Sequence, residues 1–256
     1  MKKILSTAVA TAALSFAFNA QAATVATIDL FSTDQAQLLD TTTGDGGLMS
    51  QVGSAVDTTI IGGYRDIGVE LLSSPGASTT SGASIVVENS SLSFSVDSQR
   101  SGTGFIRWDG ANAGAAIDPT GLGGLFLADP TTSSFALDIL FADGGFRFDL
   151  EAYTDASNWS RIELVSNARP APATTYIPLA AFSACGFTNG TITVVCGGVG
   201  VDFTNLGALQ AIIDPMGSSV AIDLTLDNVT VVPEPASVAL VGLGLLGLGA
   251  ARRRKA

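Results

Sequence analysis

Short apolar segments, separated by clusters of glycine, serine and threonine, run along most of the chain. In Ser91–Asp97, leucine, phenylalanine and valine alternate with serine and aspartate, and residues 222–227 repeat this pattern. Alternation with period two is typical of a strand that has one buried and one solvated face. The phase changes near Asn228, which indicates a β-bulge. Helical periodicity is nearly absent, so the pattern predicts a mostly β body.

Other segments of the same kind bring the expected number of strands to about ten or eleven. The further predicted strands lie at residues 27–31, 67–72, 85–88, 105–108, 161–165, 192–196 and 199–203. This number of strands without a long helix favours an all-β fold, a two-sheet β-sandwich of jelly-roll type. Residues 35–39 and 206–213 are candidates for a short helix.

The clearest local unit is a predicted hairpin over residues 135–153, where the Asp-Gly pair at 143–144 suits a two-residue turn. This register pairs apolar residues on one face and sets Asp138 opposite Asp149 on the other. Two facing carboxylates repel each other unless a positive charge neutralises them. Arg147 is one candidate for that charge and a bound Ca²⁺ is the other, which makes Asp138 and Asp149 a candidate metal site. Apart from this Ca²⁺, no cofactor is expected.

The N-terminus has the parts of a secretory signal peptide. Two lysines precede an uncharged apolar stretch at residues 4–18, and the Ala-Gln-Ala at 20–22 has the spacing that signal peptidase accepts. The apolar run is too short to remain as a membrane span. We therefore expect residues 1–23 to be removed and the mature protein to begin near Thr24.

Three distinct pieces follow the last predicted strand. Pro233, Glu234 and Pro235 end the strand, because proline fixes the backbone and lacks an amide donor. An uncharged apolar stretch at 236–251 is predicted to form a transmembrane helix. The basic cluster that ends the tail, Arg252, Arg253, Arg254 and Lys255, is expected to stay cytoplasmic. The chain thus divides into a signal peptide (1–23), a β-sandwich domain (24–232) and a tail (233–256).

In this order, the three pieces resemble the PEP-CTERM sorting signal of Gram-negative bacteria, over about the last tenth of the chain. The resemblance implies recognition by an exosortase, an integral membrane transpeptidase-like enzyme, and release or attachment among exopolysaccharide components. It implies an inner-membrane anchor on the periplasmic side before processing, and a place at the cell surface or outside the cell afterwards. A plain C-terminal membrane anchor that is never processed is the alternative.

The composition of the β-sandwich domain excludes several classes of function. Residues 24–232 contain six arginines, no lysine and 22 acidic residues, a formal charge of −16, so no nucleic-acid partner is expected. The chain has no histidine, which excludes Ser-His-Asp and Cys-His catalysis and histidine-ligated zinc. Carboxylate chemistry of the kind that glycosidases use remains open.

The two cysteines of the chain, Cys185 and Cys196, are expected in an oxidising compartment and predict a disulfide. They flank Asn189-Gly190, a pair that favours a tight turn. A strict two-residue turn would set Cys185 opposite residue 194. The disulfide therefore requires a bulge or a wider loop.

Aromatic and acidic residues supply the remaining candidates for chemistry. Trp108 lies in phase with Ile106 and is expected in the core, whereas Trp159 is the better candidate for stacking on a sugar ring. Asp40, Asp45, Asp109 and Asp143 lie in glycine-containing turns, where they either cap backbone amides or gather around Ca²⁺.

The function predicted from these features is that of a non-enzymatic, exported surface or matrix protein associated with extracellular polysaccharide. A carbohydrate-binding module that uses Trp159, with or without Ca²⁺, is an alternative. A carboxylate-dependent glycan hydrolase is the third possibility, although the spacing of the candidate acids selects no pair. Those acids are Glu70, Glu88, Glu151 and Glu163.

Overall fold

A computed structural model describes residues 24–76, 78–219 and 221–234. Within these residues the chain forms fourteen strands and two short 3-10 helices, at Ile61–Gly63 and Leu179–Ser183. The strands are β1 (Ala26–Asp29), β2 (Gln35–Asp40), β3 (Leu48–Gly53), β4 (Tyr64–Ser73), β5 (Ala83–Glu88), β6 (Ser91–Val96), β7 (Ser101–Trp108), β8 (Ser133–Ala142), β9 (Arg147–Tyr153), β10 (Trp159–Val165), β11 (Ala173–Pro178), β12 (Ile192–Gly197), β13 (Ala208–Ile213) and β14 (Asp223–Pro233).

The strands form two seven-stranded antiparallel sheets, which confirms the predicted all-β sandwich. The first sheet has the order β11-β8-β14-β6-β5-β2, with β1 paired to the other end of β14. The second sheet has the order β12-β10-β9-β13-β7-β4-β3. Residues Thr24–Val232 form one compact unit.

Three predicted features lie outside the described residues. They are the signal peptide (1–23), the apolar helix (236–251) and the basic cluster Arg252–Lys255. Within the described residues, no helix is both long enough and apolar enough to cross a membrane.

The alternation that predicted the strands reflects burial between the sheets. On β6, Leu92, Phe94 and Val96 are buried, whereas the serines between them are half-buried on the other face. Trp108 is fully buried, as its phase predicted. The two segments proposed as short helices are strands instead, β2 and β13. The predicted strand at 199–203 is not part of either sheet.

The predicted hairpin over residues 135–153 is wrong, because β8 belongs to the first sheet and β9 to the second. Residues 143–146 cross from one sheet to the other, and the backbone amide of Asp223 donates to the Asp143 carboxylate at 2.8 Å. The apolar residues of β8 and β9 do share the core, but they line it from opposite sheets. The alternation pattern is the same for both arrangements, because it records only which residues point inward.

The phase change near Asn228 coincides with a change of strand partner. The first part of β14 pairs with β6 through Asp223–Leu226, and its last part pairs with β1. Leu224 and Leu226 are buried before the change, and Val229 and Val231 are buried after it. The irregularity in pairing lies on β1, between Thr27 and Asp29.

The predicted disulfide between Cys185 and Cys196 is present, with a Cα–Cα distance of 5.5 Å. The turn between them is wider than two residues, because Thr188 pairs with Thr193. Asn189 closes this turn, and its side-chain oxygen accepts hydrogen bonds from the amides of Thr191 and Ile192. The wider turn is what brings Cys185 opposite Cys196.

A buried ion pair connects the two sheets. Asp29 on β1 and Arg65 on β4 are fully buried, and their closest N–O distance is 3.0 Å. The indole of Trp108 also donates to Asp29 (2.9 Å), and Arg65 donates to the side chain of Gln35 and the carbonyl of Thr33. Burial raises the pKa of Asp29, and the charge of Arg65 opposes that rise.

We expect Arg65→Met to destabilise the protein by about 3–5 kcal/mol, because it leaves Asp29 buried without its cation. Arg169→Met is the matched control, since Arg169 is half-buried and forms no ion pair with the described residues. Urea denaturation of both variants measures the difference. Equal unfolding free energies for the two variants would show that the ion pair does not couple the sheets.

Candidate functional site

The outer face of the second sheet, directed away from the core, carries a continuous line of polar side chains. Strand register places seven residues side by side across the whole sheet, and we call them the transverse row. From β3 to β12 the row is Gln51, Asp66, Arg107, Gln210, Glu151, Arg161 and Val195. Six of the seven are polar or charged, which is unusual for neighbouring positions that are largely buried.

Hydrogen bonds link the middle of the transverse row. Nε of Arg107 donates to Gln210 at 2.7 Å, and the Gln210 amide donates to Glu151 at 3.2 Å. Arg161 forms an ion pair with the other oxygen of Glu151 at 3.5 Å. Arg107, Gln210 and Glu151 are 6–8% exposed, so each side chain is held in one orientation by its neighbours.

Aromatic rings flank the row on both sides. Trp159 and Tyr153 are cross-strand neighbours with ring centroids 6.2 Å apart, and both are partly exposed. The Tyr153 hydroxyl donates to Glu151 at 2.6 Å, and burial raises the pKa of that hydroxyl. On the other side, the guanidinium of Arg107 lies 4.4 Å from the ring centroid of Phe105, a cation–π contact.

A cluster of alternating charges extends from the row towards the beginning of β9. Arg147 and Arg161 both contact Asp149 and Glu163, with Arg147 Nε at 3.3 Å from Asp149. Burial raises the pKa of Asp149, and Arg147 opposes that shift. Opposite charges therefore neutralise one another within this cluster.

At the other end of the row, two carboxyl groups lie together without a cation bonded to either. Asp66 and Asp109 are each 1% exposed, and their carboxyl groups are near enough to interact electrostatically. Both oxygens of Asp66 and Oδ1 of Asp109 lack a hydrogen-bond partner among the described residues. Burial, followed by the charge of Asp109, raises the pKa of Asp66 to about 7.

The loop at residues 110–121 folds back over this end of the row. Asp109 holds the loop, because its Oδ2 accepts the backbone amide of Asp118 at 2.7 Å. The loop closes so tightly that a Cβ on Gly110, which has a φ of +74°, would lie 2.4 Å from the Gly121 carbonyl oxygen. Carbonyls of the loop, from Gly114 and Ala115, accept hydrogen bonds from Arg107.

The structure does not bring the predicted metal residues together. Asp138 lies on β8 in the first sheet and accepts a hydrogen bond from Thr174, whereas Asp149 lies on β9 in the second sheet beside Arg147. Asp40, Asp45 and Asp143 accept backbone amides, which is the capping role considered for them.

Trp159, the predicted sugar-stacking residue, does lie on the outer face of the second sheet. Asp66, Arg107 and Gln210 of the transverse row are far apart in sequence and become neighbours of one another only through strand register. One signal for Gln210 is present in the sequence, because it is the only polar residue of β13.

A separate cavity of about 350 Å³ opens between the two sheets. Its walls are mostly apolar and include Phe146, Phe148 and Leu224, with Asn167 and Arg169 among the few polar residues that line it. A hydroxyl-rich ligand would lose hydrogen bonds to water against such walls. The outer face of the second sheet is therefore the better candidate site.

The last described residues, Pro233 and Glu234, end β14 and begin the tail. Residues 231–255 match the family model described as the PEP-CTERM protein-sorting motif. The chain carries a PEP-CTERM sorting motif. This motif marks an exported protein that is sorted by its C-terminal region. No curated protein matches the sequence.

Several solved structures are distantly similar to the fold. An exo-beta-agarase matches with 14% identity and a TM-score of 0.40, over 65% of this chain and 24% of its own, so this chain spans about a quarter of that enzyme. A family 11 carbohydrate-binding module from Clostridium thermocellum, in complex with a beta-1,3-1,4-mixed-linked tetrasaccharide, matches with 8% identity and a TM-score of 0.34, over 77% of this chain and 95% of its own.

The carboxyl pair predicts how stability depends on pH when no divalent cation is present. The pKa of Asp66 is about 7 in the folded protein and near 3.8 in the unfolded chain. The folded protein therefore retains a proton that the unfolded chain has released, and this contribution is complete below about pH 4 and lost as the pH rises through 7. We expect the unfolding free energy to fall between pH 5 and 7 by up to about 1.4 kcal/mol per pH unit.

Urea denaturation in EDTA at several pH values measures this fall. Asp66→Asn is the reference variant, because it removes the titrating group and retains the shape of the side chain. The difference in stability between the two proteins should change over pH 5–7. A constant difference would contradict the assignment.

Proposed function

We propose that the chain is a non-enzymatic, exosortase-sorted protein of the cell surface or extracellular matrix that binds extracellular polysaccharide. The sorting motif supports the first part of this proposal. The outer face of the second sheet supports the second part. A surface protein that binds glycan through this face would satisfy both the surface-protein hypothesis and the carbohydrate-binding hypothesis.

The transverse row is the observation that carries the glycan proposal. Sugar hydroxyls both donate and accept hydrogen bonds, and guanidinium, amide and carboxylate groups are suited to pairing with them. Arg107, Gln210 and Glu151 hold these three groups in fixed orientations, and Arg161, which is paired with Glu151, has a side chain that is 30% exposed. Next to them, the partly exposed rings of Trp159 and Tyr153 offer apolar faces on which the C–H face of a sugar can stack.

Binding without hydrolysis fits the state of the carboxyl groups on this face. A glycosidase needs two carboxyl groups on either side of the bond that it cleaves. Asp66 and Asp109 are 1% exposed, which leaves a polysaccharide no access to them. Glu151 already accepts from Tyr153 and Gln210, so it is held as a positioning group. Shortened polysaccharide chains after incubation with the protein would contradict this part of the proposal.

The proposed route begins with export and a temporary inner-membrane anchor on the periplasmic side, formed by residues 236–251. Arg252, Arg253, Arg254 and Lys255 would hold the end of the chain in the cytoplasm. An exosortase would then process the chain at Pro233-Glu234-Pro235. The processed protein would remain among polysaccharide at the surface or be released.

We expect Trp159→Ala to weaken binding to the host's own exopolysaccharide by about tenfold, because it removes one stacking surface. Affinity electrophoresis of the purified protein measures the change. Tyr176→Ala is the matched control, since Tyr176 is a half-exposed aromatic on β11 of the first sheet. Equal retardation of the Trp159→Ala variant and the unchanged protein would exclude this face as the binding site.

We expect replacement of Pro233, Glu234 and Pro235 by alanine to leave the protein unprocessed, because the proposed recognition sequence is lost. Mass spectrometry of the cell-associated protein and fractionation of cells should show a heavier chain retained in the membrane. Pro130→Ala, in a turn of the body, serves as the control. If the mature mass and the location are unchanged, exosortase sorting through this triplet is refuted, while glycan binding is unaffected.

A further inference from the structure

Three carboxylate oxygens at one end of the transverse row lack hydrogen-bond partners among the described residues. They are Oδ1 and Oδ2 of Asp66 and Oδ1 of Asp109. Both side chains are 1% exposed, so bulk water solvates them poorly. Buried polar groups in proteins almost always have a partner, and a buried charge without one is costly.

No hydrogen bond from a nearby donor reaches these three oxygens. Arg107 is the cross-strand neighbour of Asp66, yet its Nε donates to Gln210 and its Nη1 to loop carbonyls. On the other side of Asp66, the Gln51 amide donates to the Gly110 carbonyl at 3.2 Å. Oδ2 of Asp109 accepts from Asp118, but this bond leaves its Oδ1 free. The positive charge of Arg107 therefore acts on both carboxyl groups, but no hydrogen bond joins it to their free oxygens.

We propose that Asp66 and Asp109 together bind a calcium ion. Calcium prefers carboxylate and carbonyl oxygens, accepts six to eight of them and tolerates irregular geometry. The two carboxylates would supply three free oxygens and balance the charge of the ion. No group of three or more acidic, histidine or cysteine side chains that could hold a metal occurs among the described residues, so carbonyls and water would complete the coordination.

Such an ion would join two parts of the site. Asp66 belongs to β4, and Asp109 lies where β7 passes into the 110–121 loop that contacts Arg107. One bound cation would replace the repulsion between the carboxylates by attraction to a shared centre. It would thereby hold the loop against the sheet. This inference does not depend on glycan binding.

Melting temperatures of the purified protein in EDTA and in CaCl₂ test the proposal. At a calcium concentration about 100-fold above the dissociation constant, the melting temperature should rise by about 5–10 °C. Asp66→Asn and Asp109→Asn should each abolish most of this rise, because each removes one of the two anionic ligands. Asp66→Asn should fold in EDTA, since it also removes the repulsion within the pair.

Asp40→Asn is the matched control. Asp40 is also a buried aspartate, but both of its oxygens accept backbone amides, from Thr42 and Leu71. This variant should lose stability yet retain the rise with calcium. A rise that persists in Asp66→Asn would reflect calcium bound elsewhere on this acidic protein and would overturn the proposal. Equal melting temperatures of the unchanged protein in EDTA and CaCl₂ would also overturn it and indicate that the two carboxyl groups share a proton.

Discussion

The ion pair between Asp29 and Arg65 is the contact on which the arrangement of the second sheet depends. It is fully buried between the sheets, and the indole of Trp108 donates to the same carboxylate. Arg65 and Trp108 lie on the neighbouring strands β4 and β7, so one acidic group on β1 holds both strands. Forming a buried ion pair contributes little net stability, but removing one partner is strongly destabilising because the other charge is left buried alone. The pair therefore favours the one strand arrangement in which both charges meet.

The same strands present the candidate site on their opposite face. Asp66 follows Arg65 in the chain, and Arg107 and Asp109 lie on either side of Trp108. Because successive residues of a strand point to opposite faces, fixing the inward residues also fixes their outward neighbours. The interaction that joins the sheets thus positions the transverse row, although its atoms lie on the other side of the sheet.

The amino-acid pattern is sufficient to predict which residues point inward, but not which strands are neighbours. The alternation in Ser91–Asp97 marks β6, and the cysteine spacing predicts the disulfide. The apolar residues of β8 and β9 are compatible with one hairpin and equally with two strands that face each other across the core. Residues 35–39 and 206–213 pair as strands because neighbouring strands override weak local preferences. The transverse row depends on non-local pairing, so the sequence can indicate a single member such as Gln210 but not which residues lie beside it.

The position of β14 in the first sheet determines how late in export the fold can be completed. It pairs with β8 and β6 inside the first sheet, and its far end receives β1, the first strand of the body. A chain exported from its N-terminus presents β1 first and β14 last, so the first sheet stays open until residues 223–233 have crossed. The PEP-CTERM motif follows them directly. Completion of the fold and arrival of the sorting motif are therefore nearly simultaneous events in export.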